Sequence, residues 1–262
     1  MRGRLFIAAL SLAALSACAR PPRFRFIEPD PPPGVAGDYL GAPYLAAPLG
    51  DGDSDPYAPG PLWRNDAFDC TTYVETVLAE RRAGEALENM RKIRYGDAKP
   101  DFFARNHFTE TQWIPSAMRQ GFIAPLDLPD TAASHIGGNL AVFYLQNPFV
   151  AEAVRQSDSF RAKAKQGRPF KGSIAYVPRE AITYGLVRRL PESVAFFLKC
   201  PEKPTERWQI GGGQKFVTHM GLLKDGWLTH ASSDKGKVVR VDFLDYLDDS
   251  SFCGAAFYKI LD

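Results

Sequence analysis

One cysteine and two histidines in this chain have the types and surroundings that nucleophilic catalysis requires. Cys70 stands in AFDCTTYVETVLAE (67–80), directly after an aspartate and at the start of an apolar periodicity. Tyr73, Val74, Val77 and Leu78 fall on one face of a helix, with Glu75, Glu80, Arg81 and Arg82 off it. Asp69 is suited to cap that helix, and Phe68 to staple onto Tyr73. Cys70 is then the first helical residue, where unpaired N–H groups and the helix dipole favour an anion. A thiol there can ionise at neutral pH, and the same N–H groups can hold an oxyanion. A buried, inert cysteine is the competing reading.

A thiol nucleophile needs a base. The chain has four histidines, His107, His135, His219 and His230. The last two sit in KFVTHMGLLKDGWLTHASS, on either side of Asp225-Gly226, a strong two-residue hairpin signal. That turn sets Lys224 opposite Trp227, Leu223 opposite Leu228, Gly221 opposite His230 and His219 opposite Ser232. Alternation places His219, Gly221, Leu223, Leu228, His230 and Ser232 on one face, with the histidines diagonal neighbours, their Cα atoms roughly 7 Å apart. Gly221 leaves room for an imidazole. His219 is the expected base and His230 the group that orients it. Zinc held by Cys70, His219 and His230 is a weaker alternative, because the spacing is not that of a compact motif and no further carboxylate is aimed at the pair. No metal or organic cofactor is expected.

The elements that must position these residues show a change along the chain. Helical patterns cover 70–90, 111–120 and 149–166. Strand patterns follow: SIAYVP, FVTHMGLL, GWLTHAS, KVVRVDFL and AAFYKIL. Helices first and an antiparallel sheet afterwards predict an α+β fold, with N-terminal helices packed on a C-terminal sheet. At 262 residues, 45% hydrophobic and 24% charged, the chain has the composition of a globular protein with one well-buried domain.

The first residues read as a leader. Arg2 and Arg4 precede LFIAALSLAALSA, too short for an ordinary membrane span, and residues 1–17 form a secretory signal. LSAC resembles a bacterial lipobox, which makes Cys18 the lipidated first residue of the mature chain. Ala19 after it implies sorting to the periplasmic side of the outer membrane. A proline-rich tether covers 18–37 and the folded domain 38–262. Without residues 1–17 the chain has 30 basic and 30 acidic residues. Neutrality gives no footprint for nucleic acid, so the membrane partner is reached through lipid. Cys18 apart, three cysteines remain in an exported chain. Cys200 and Cys253 are able to pair, which leaves Cys70 as the odd thiol, although sequence alone does not establish that pairing.

FDCTTYVETVLA, THMGLL and LTHASS resemble the NlpC-type papain-like cysteine peptidases, in which an Asp-Cys pair opens a helix and two histidines follow on adjacent strands. GAPYLAAPL (41–49), IRYGD (93–97), ARNHFTETQWIP (104–115) and IAYVP (174–178) are similar to an N-acetylmuramoyl-L-alanine amidase-like branch of that superfamily. The resemblance implies a papain-like fold and a hydrolase of peptidoglycan amides; with the lipobox, the reading is a lipid-anchored hydrolase, expected to be a monomer. It implies Cys70 as nucleophile, His219 as base and His230 as its orienting residue. Tyr44 and Asp69 belong with the oxyanion and substrate side, and His107 and Trp113 with the cleft, although packing is the commoner role for such a tryptophan. The bond implied first is muramoyl–L-alanine, ahead of one next to γ-D-glutamate in the stem peptide. A non-catalytic peptidoglycan-binding lipoprotein on a retired hydrolase fold and a thiol acyltransferase are the alternatives. Arg94 and Arg105 are candidates for a stem-peptide carboxylate or, more commonly, solvated arginines. His135 reads as a loop histidine, and GGGQK (211–215) as a loop without the ending a phosphate-binding loop needs.

Overall fold

The computed structural model describes residues 39–147, 150–200 and 216–261. The leader, Cys18, the tether and the GGGQK stretch lie outside the described residues.

Asp69 starts the central helix. In α1 (Cys70–Arg81) the Asp69 carboxylate accepts the Thr72 N–H at 2.8 Å, and the Thr72 hydroxyl oxygen accepts the Asp69 N–H at 3.0 Å. Phe68 meets Tyr73 edge-on at 5.9 Å, which completes cap and staple. The helix is not amphipathic. Thr72 through Ala79 are all buried, because the sheet packs on one side and α2 (Ala86–Tyr95) on another. Glu75, expected off the apolar face, is therefore inside. It accepts from Arg94 at 3.0 Å and from the Trp113 indole at 2.9 Å. Asp51 pairs with Arg105 at 3.3 Å, lies 3.8 Å from Arg94 and accepts from Tyr95 at 2.6 Å. Two arginines facing two acids close a buried network, and so neither arginine is the solvated or ligand-binding group expected.

The pattern over 70–90 is two helices. The backbone turns extended at Arg82, and the buried Asn89 amide donates to the carbonyls of Ala79 and Arg82 that α1 leaves unpaired, at 3.0 and 3.1 Å. The pattern over 111–120 begins as a π-helical turn, Thr109–Trp113, before α3 (Ile114–Arg119). Past α4 (Leu140–Gln146), the pattern over 149–166 divides into α5 (Glu152–Arg155) and α6 (Asp158–Ala164), where Ser157 caps the second piece.

All neighbouring strands are antiparallel. They are β1 (Ile123–Pro125), β2 (Ala132–Asn139), β3 (Pro169–Pro178), β4 (Ser193–Lys199), β5 (Phe216–Lys224), β6 (Trp227–Ser232), β7 (Lys237–Asp242) and β8 (Gly254–Ile260). The sheet order is β2-β3-β8-β4-β5-β6-β7, with β1 paired to β8. Each of the five strand patterns contains a strand. Phe243 and Leu244, read as the end of one, instead open α8 (Phe243–Asp248), because the Asp242 carboxylate accepts the N–H groups of Leu244 and Asp245. The central strand β4 gave no alternating pattern because it is buried on both faces. His135 lies exposed on β2, not in a loop. Strands and helices intermix after α3, so the fold is mixed α and β, not helices followed by a sheet.

The sheet has a core on each face. Phe196, Met220, Leu222 and Ala231 pack with α1, whereas Phe197, Leu223, Leu228 and Phe243 form a second core with α8. A disulfide joins Cys200, after β4, to Cys253, before β8, with Cα atoms 5.9 Å apart, and Cys70 is a free thiol.

Candidate active site

Asp225 and Gly226 take φ of +51° and +83°, the left-handed pair a type I′ turn needs. The β5–β6 ladder has the expected register, Lys224 opposite Trp227, Leu223 opposite Leu228 and Leu222 opposite Thr229. The pairing stops there, and both histidines lie past its end. His219 Nε2 and His230 Nδ1 are 2.8 Å apart, with the rings nearly perpendicular and their centroids 4.8 Å apart. Gly221 permits this approach, since a Cβ there would stand 2.9 Å from the Cβ of His230.

Aromatic rings line the pair, in which His230 is buried and His219 half-buried. Phe197 and Phe252 lie 5.8 and 6.3 Å from the His219 ring, and Tyr246 lies 5.8 Å from His219 and 4.6 Å from His230. Burial disfavours the charged imidazolium and lowers His219 to about 3, helped by the neighbouring His230. The same cause lowers His230 to about 4, partly opposed by Asp234. Both rings are neutral at pH 7.

Cys70 comes from the α1 side. The backbone N–H groups of Met220, the neighbour of His219, and of Thr71 act to lower the pKa of its thiol, and the Thr71 hydroxyl lies 4.0 Å from the sulfur. The Met220 contact occurs where β5 has parted from β6. Sulfur and the His219 ring are not hydrogen-bonded to each other. Burial, followed by the Asp69 charge, pushes the thiol up to about 11 despite those donors. The expectation of a resting thiolate is thereby corrected. The helix terminus does supply donors, but desolvation outweighs them.

Tyr44 is brought in by a strap. Gly41 N–H donates to Val238 at 2.9 Å, Tyr44 N–H to Gly236 at 2.9 Å, and Leu45 N–H to Phe68 at 2.9 Å. The strap thus ties the start of β7 to the residues ahead of α1. Burial raises the Tyr44 phenol above its usual value, followed by the nearby Cys70 and Asp69 charges. Asp69 also accepts the Ala47 N–H at 3.1 Å. It acts as cap and strap anchor. An ionised carboxylate only accepts hydrogen bonds and so gives an oxyanion no stabilisation.

His107 and Trp113 do not join this cluster. His107 Nε2 lies 2.6 Å from the Phe102 carbonyl, its ring among Phe102, Phe143 and Tyr144, and burial holds its pKa well below the usual value. Trp113 is 2% exposed and packs on Phe196. Burial of Trp113 corrects the expectation of a cleft role for that residue, whereas His107 is half-buried in a separate aromatic group. Sequence reasoning missed Tyr246, Phe252 and Glu110. Glu110, on the π turn, accepts the Val217 N–H ahead of His219, and burial pushes its carboxyl up to about 7. Only the Asp242 cap signal announced α8 and its tyrosine. Among the described residues, no group of three His, Cys, Asp or Glu side chains is arranged to hold a metal ion.

Several solved structures share this fold. A Legionella pneumophila protein superposes with a TM-score of 0.74 at 22% identity, over 86% of both chains. An N-acetylmuramoyl-L-alanine amidase from Bacteroides uniformis gives 0.59 at 26% identity, over 86% of this chain and 94% of that one. A Bacteroides fragilis protein described as a candidate xylanase gives 0.57 at 24%, over 85% and 97%. Comparison with curated proteins yields no significant match. The family model described as N-acetylmuramoyl-L-alanine amidase-like matches residues 34–254. The chain therefore belongs to the N-acetylmuramoyl-L-alanine amidase-like family.

Proposed function

We propose that the protein is a cysteine amidase of peptidoglycan, with Cys70, His219 and His230 acting together on a papain-like, NlpC-type arrangement. The observation that carries this is the 2.8 Å contact between His219 Nε2 and His230 Nδ1. It uses one nitrogen of His219 and leaves Nδ1 for a thiol. For Nδ1 to accept a proton, Nε2–H must donate to His230 Nδ1, which fixes both tautomers. The Cys70 sulfur attacks the amide carbonyl as its proton passes to His219 Nδ1. Such contacts are often long until substrate is engaged. The Cys70 N–H, which the cap leaves unused, with the neutral Tyr44 phenol, holds the oxyanion. His219 gives the proton to the leaving amine. It then takes one from the water that hydrolyses the thioester, which restores the thiol.

The family name supports muramoyl–L-alanine as the bond, ahead of the bond next to γ-D-glutamate. The leader and LSAC motif support a lipid anchor through Cys18 on the periplasmic side of the outer membrane. Incubation of the purified protein with muropeptides, read by mass spectrometry, tests the reading. Release of free stem peptide from the sugar is expected. Cys70→Ala and His219→Ala should each lose several orders of magnitude in rate. Retained binding without product would favour a non-catalytic scaffold. Capture of product by an added amine would favour a transferase, and loss of activity with chelator a zinc site.

A further inference from the structure

Among the described residues, Tyr246 is the aromatic side chain whose ring meets both imidazoles, at 5.8 Å from His219 and 4.6 Å from His230. Its position is fixed from below. The Asp242 carboxylate caps α8 at 2.8 and 3.1 Å, Phe243 N–H donates to the Gly226 carbonyl at 3.0 Å, and Phe243 and Leu247 are buried. The Arg179 guanidinium donates to the carbonyls of Asp248 and Ser250, both at 2.8 Å, and pins the far end of the helix. Phe197 and Phe252 brace the ring at 5.2 and 6.0 Å. The Tyr246 side chain is only partly buried, and its hydroxyl has no hydrogen-bond partner among the described residues. Burial first, then the charges of Cys70 and Asp234, raise its pKa, so the phenol remains a neutral donor across the physiological range.

We infer that Tyr246 is a further residue of the amide-cleaving site: its ring shields and positions the His219–His230 pair, and its free hydroxyl donates a hydrogen bond to the bound substrate beside Cys70. This rests on the cysteine amidase reading. A braced ring over the partly buried His219 and the buried His230 removes water from the pair, and a rigid neutral donor near enough to feel the Cys70 charge loses no rotamer freedom on binding. The titratable groups facing the pair are Tyr246 from α8 and Asp234 from the β6–β7 turn, while Cys70 from α1 acts on Tyr246.

Two variants separate the two roles. Tyr246→Phe retains the ring and removes the donor. It should lower kcat/KM on muropeptides about 10- to 100-fold with an unchanged melting temperature and an unchanged acid limb of the pH profile. Tyr246→Ala removes the shield. The His219 and His230 Cε1 proton resonances, which should titrate well below pH 6 in the wild type, should then titrate at higher pH, and the acid limb of kcat/KM should move up with them. Full activity in Tyr246→Phe, or unmoved histidine titrations in Tyr246→Ala, overturns the inference. Cys70→Ala is run alongside. If wild type itself releases no product, the amidase reading fails, while the histidine titrations still decide the shielding role.

Discussion

Two neutral imidazoles inside the fold make stability depend on pH in a way that can be worked out from the site. Unfolded histidine protonates near pH 6.5, whereas His219 and His230 resist protonation until about 3 and about 4. Below pH 6.5 the unfolded chain therefore binds more protons than the folded one, and stability falls as pH falls. The loss is absent above pH 7 and amounts to about 2 kcal/mol for each ring at pH 5. His107, also held low by burial, adds a loss of the same sign. Glu110 acts oppositely, because a carboxyl raised to about 7 binds its proton in the folded state first. The perturbation that isolates the pair is the double substitution His219→Gln with His230→Gln, since His107 and Glu110 then cancel between the two proteins. Urea unfolding, followed by fluorescence at pH 8 and pH 5, measures the difference. Wild type should lose about 4 kcal/mol more than the double variant over that interval. An equal loss in both proteins would show that the rings protonate freely in the folded state. The account of a desolvated, neutral pair would then be wrong.

Two further outcomes follow from described contacts. Cys70, held at about 11, is a thiol at neutral pH, so iodoacetamide should label it slowly at pH 7.5 and faster through pH 9 to 10; fast labelling that is already flat at pH 6 would contradict this. Glu75→Gln leaves the buried Arg94 charge without its 3.0 Å partner, at about 3–5 kcal/mol, and should lower the melting temperature by roughly 10 °C by circular dichroism; a shift under 2 °C would refute the buried pairing.

What the sequence made legible was local. The Asp-Gly turn and strict alternation located two distant histidines against each other, and Asp69 with Phe68 marked the start of α1. What it hid was determined by residues far along the chain. Glu75 looked like a solvated face of α1 because its partners, Arg94 and Trp113, come from other elements. Cys70 looked ionisable from the helix terminus alone, but desolvation and the Asp69 charge outweigh the donors there and reverse the sign. His107 and Trp113 carried a cleft expectation from neighbouring letters, whereas aromatic packing decided their place. β4, apolar throughout, has no period to read. Tyr246 offered no motif, only a helix cap after a strand.

The Cys200–Cys253 bond makes a covalent ring of the chain between two cysteines 53 positions apart. β5, β6, β7 and α8 all lie within that ring, and with them both imidazoles and Tyr246, whereas Cys70 lies outside it. Closing a ring of this size removes disorder from the unfolded chain worth about 4 kcal/mol. The half of the site that handles protons is thus confined even when the chain is denatured, and the half that carries sulfur is not. In an oxidising compartment, reassembly of the site reduces to returning one helix to a ring that has already been closed.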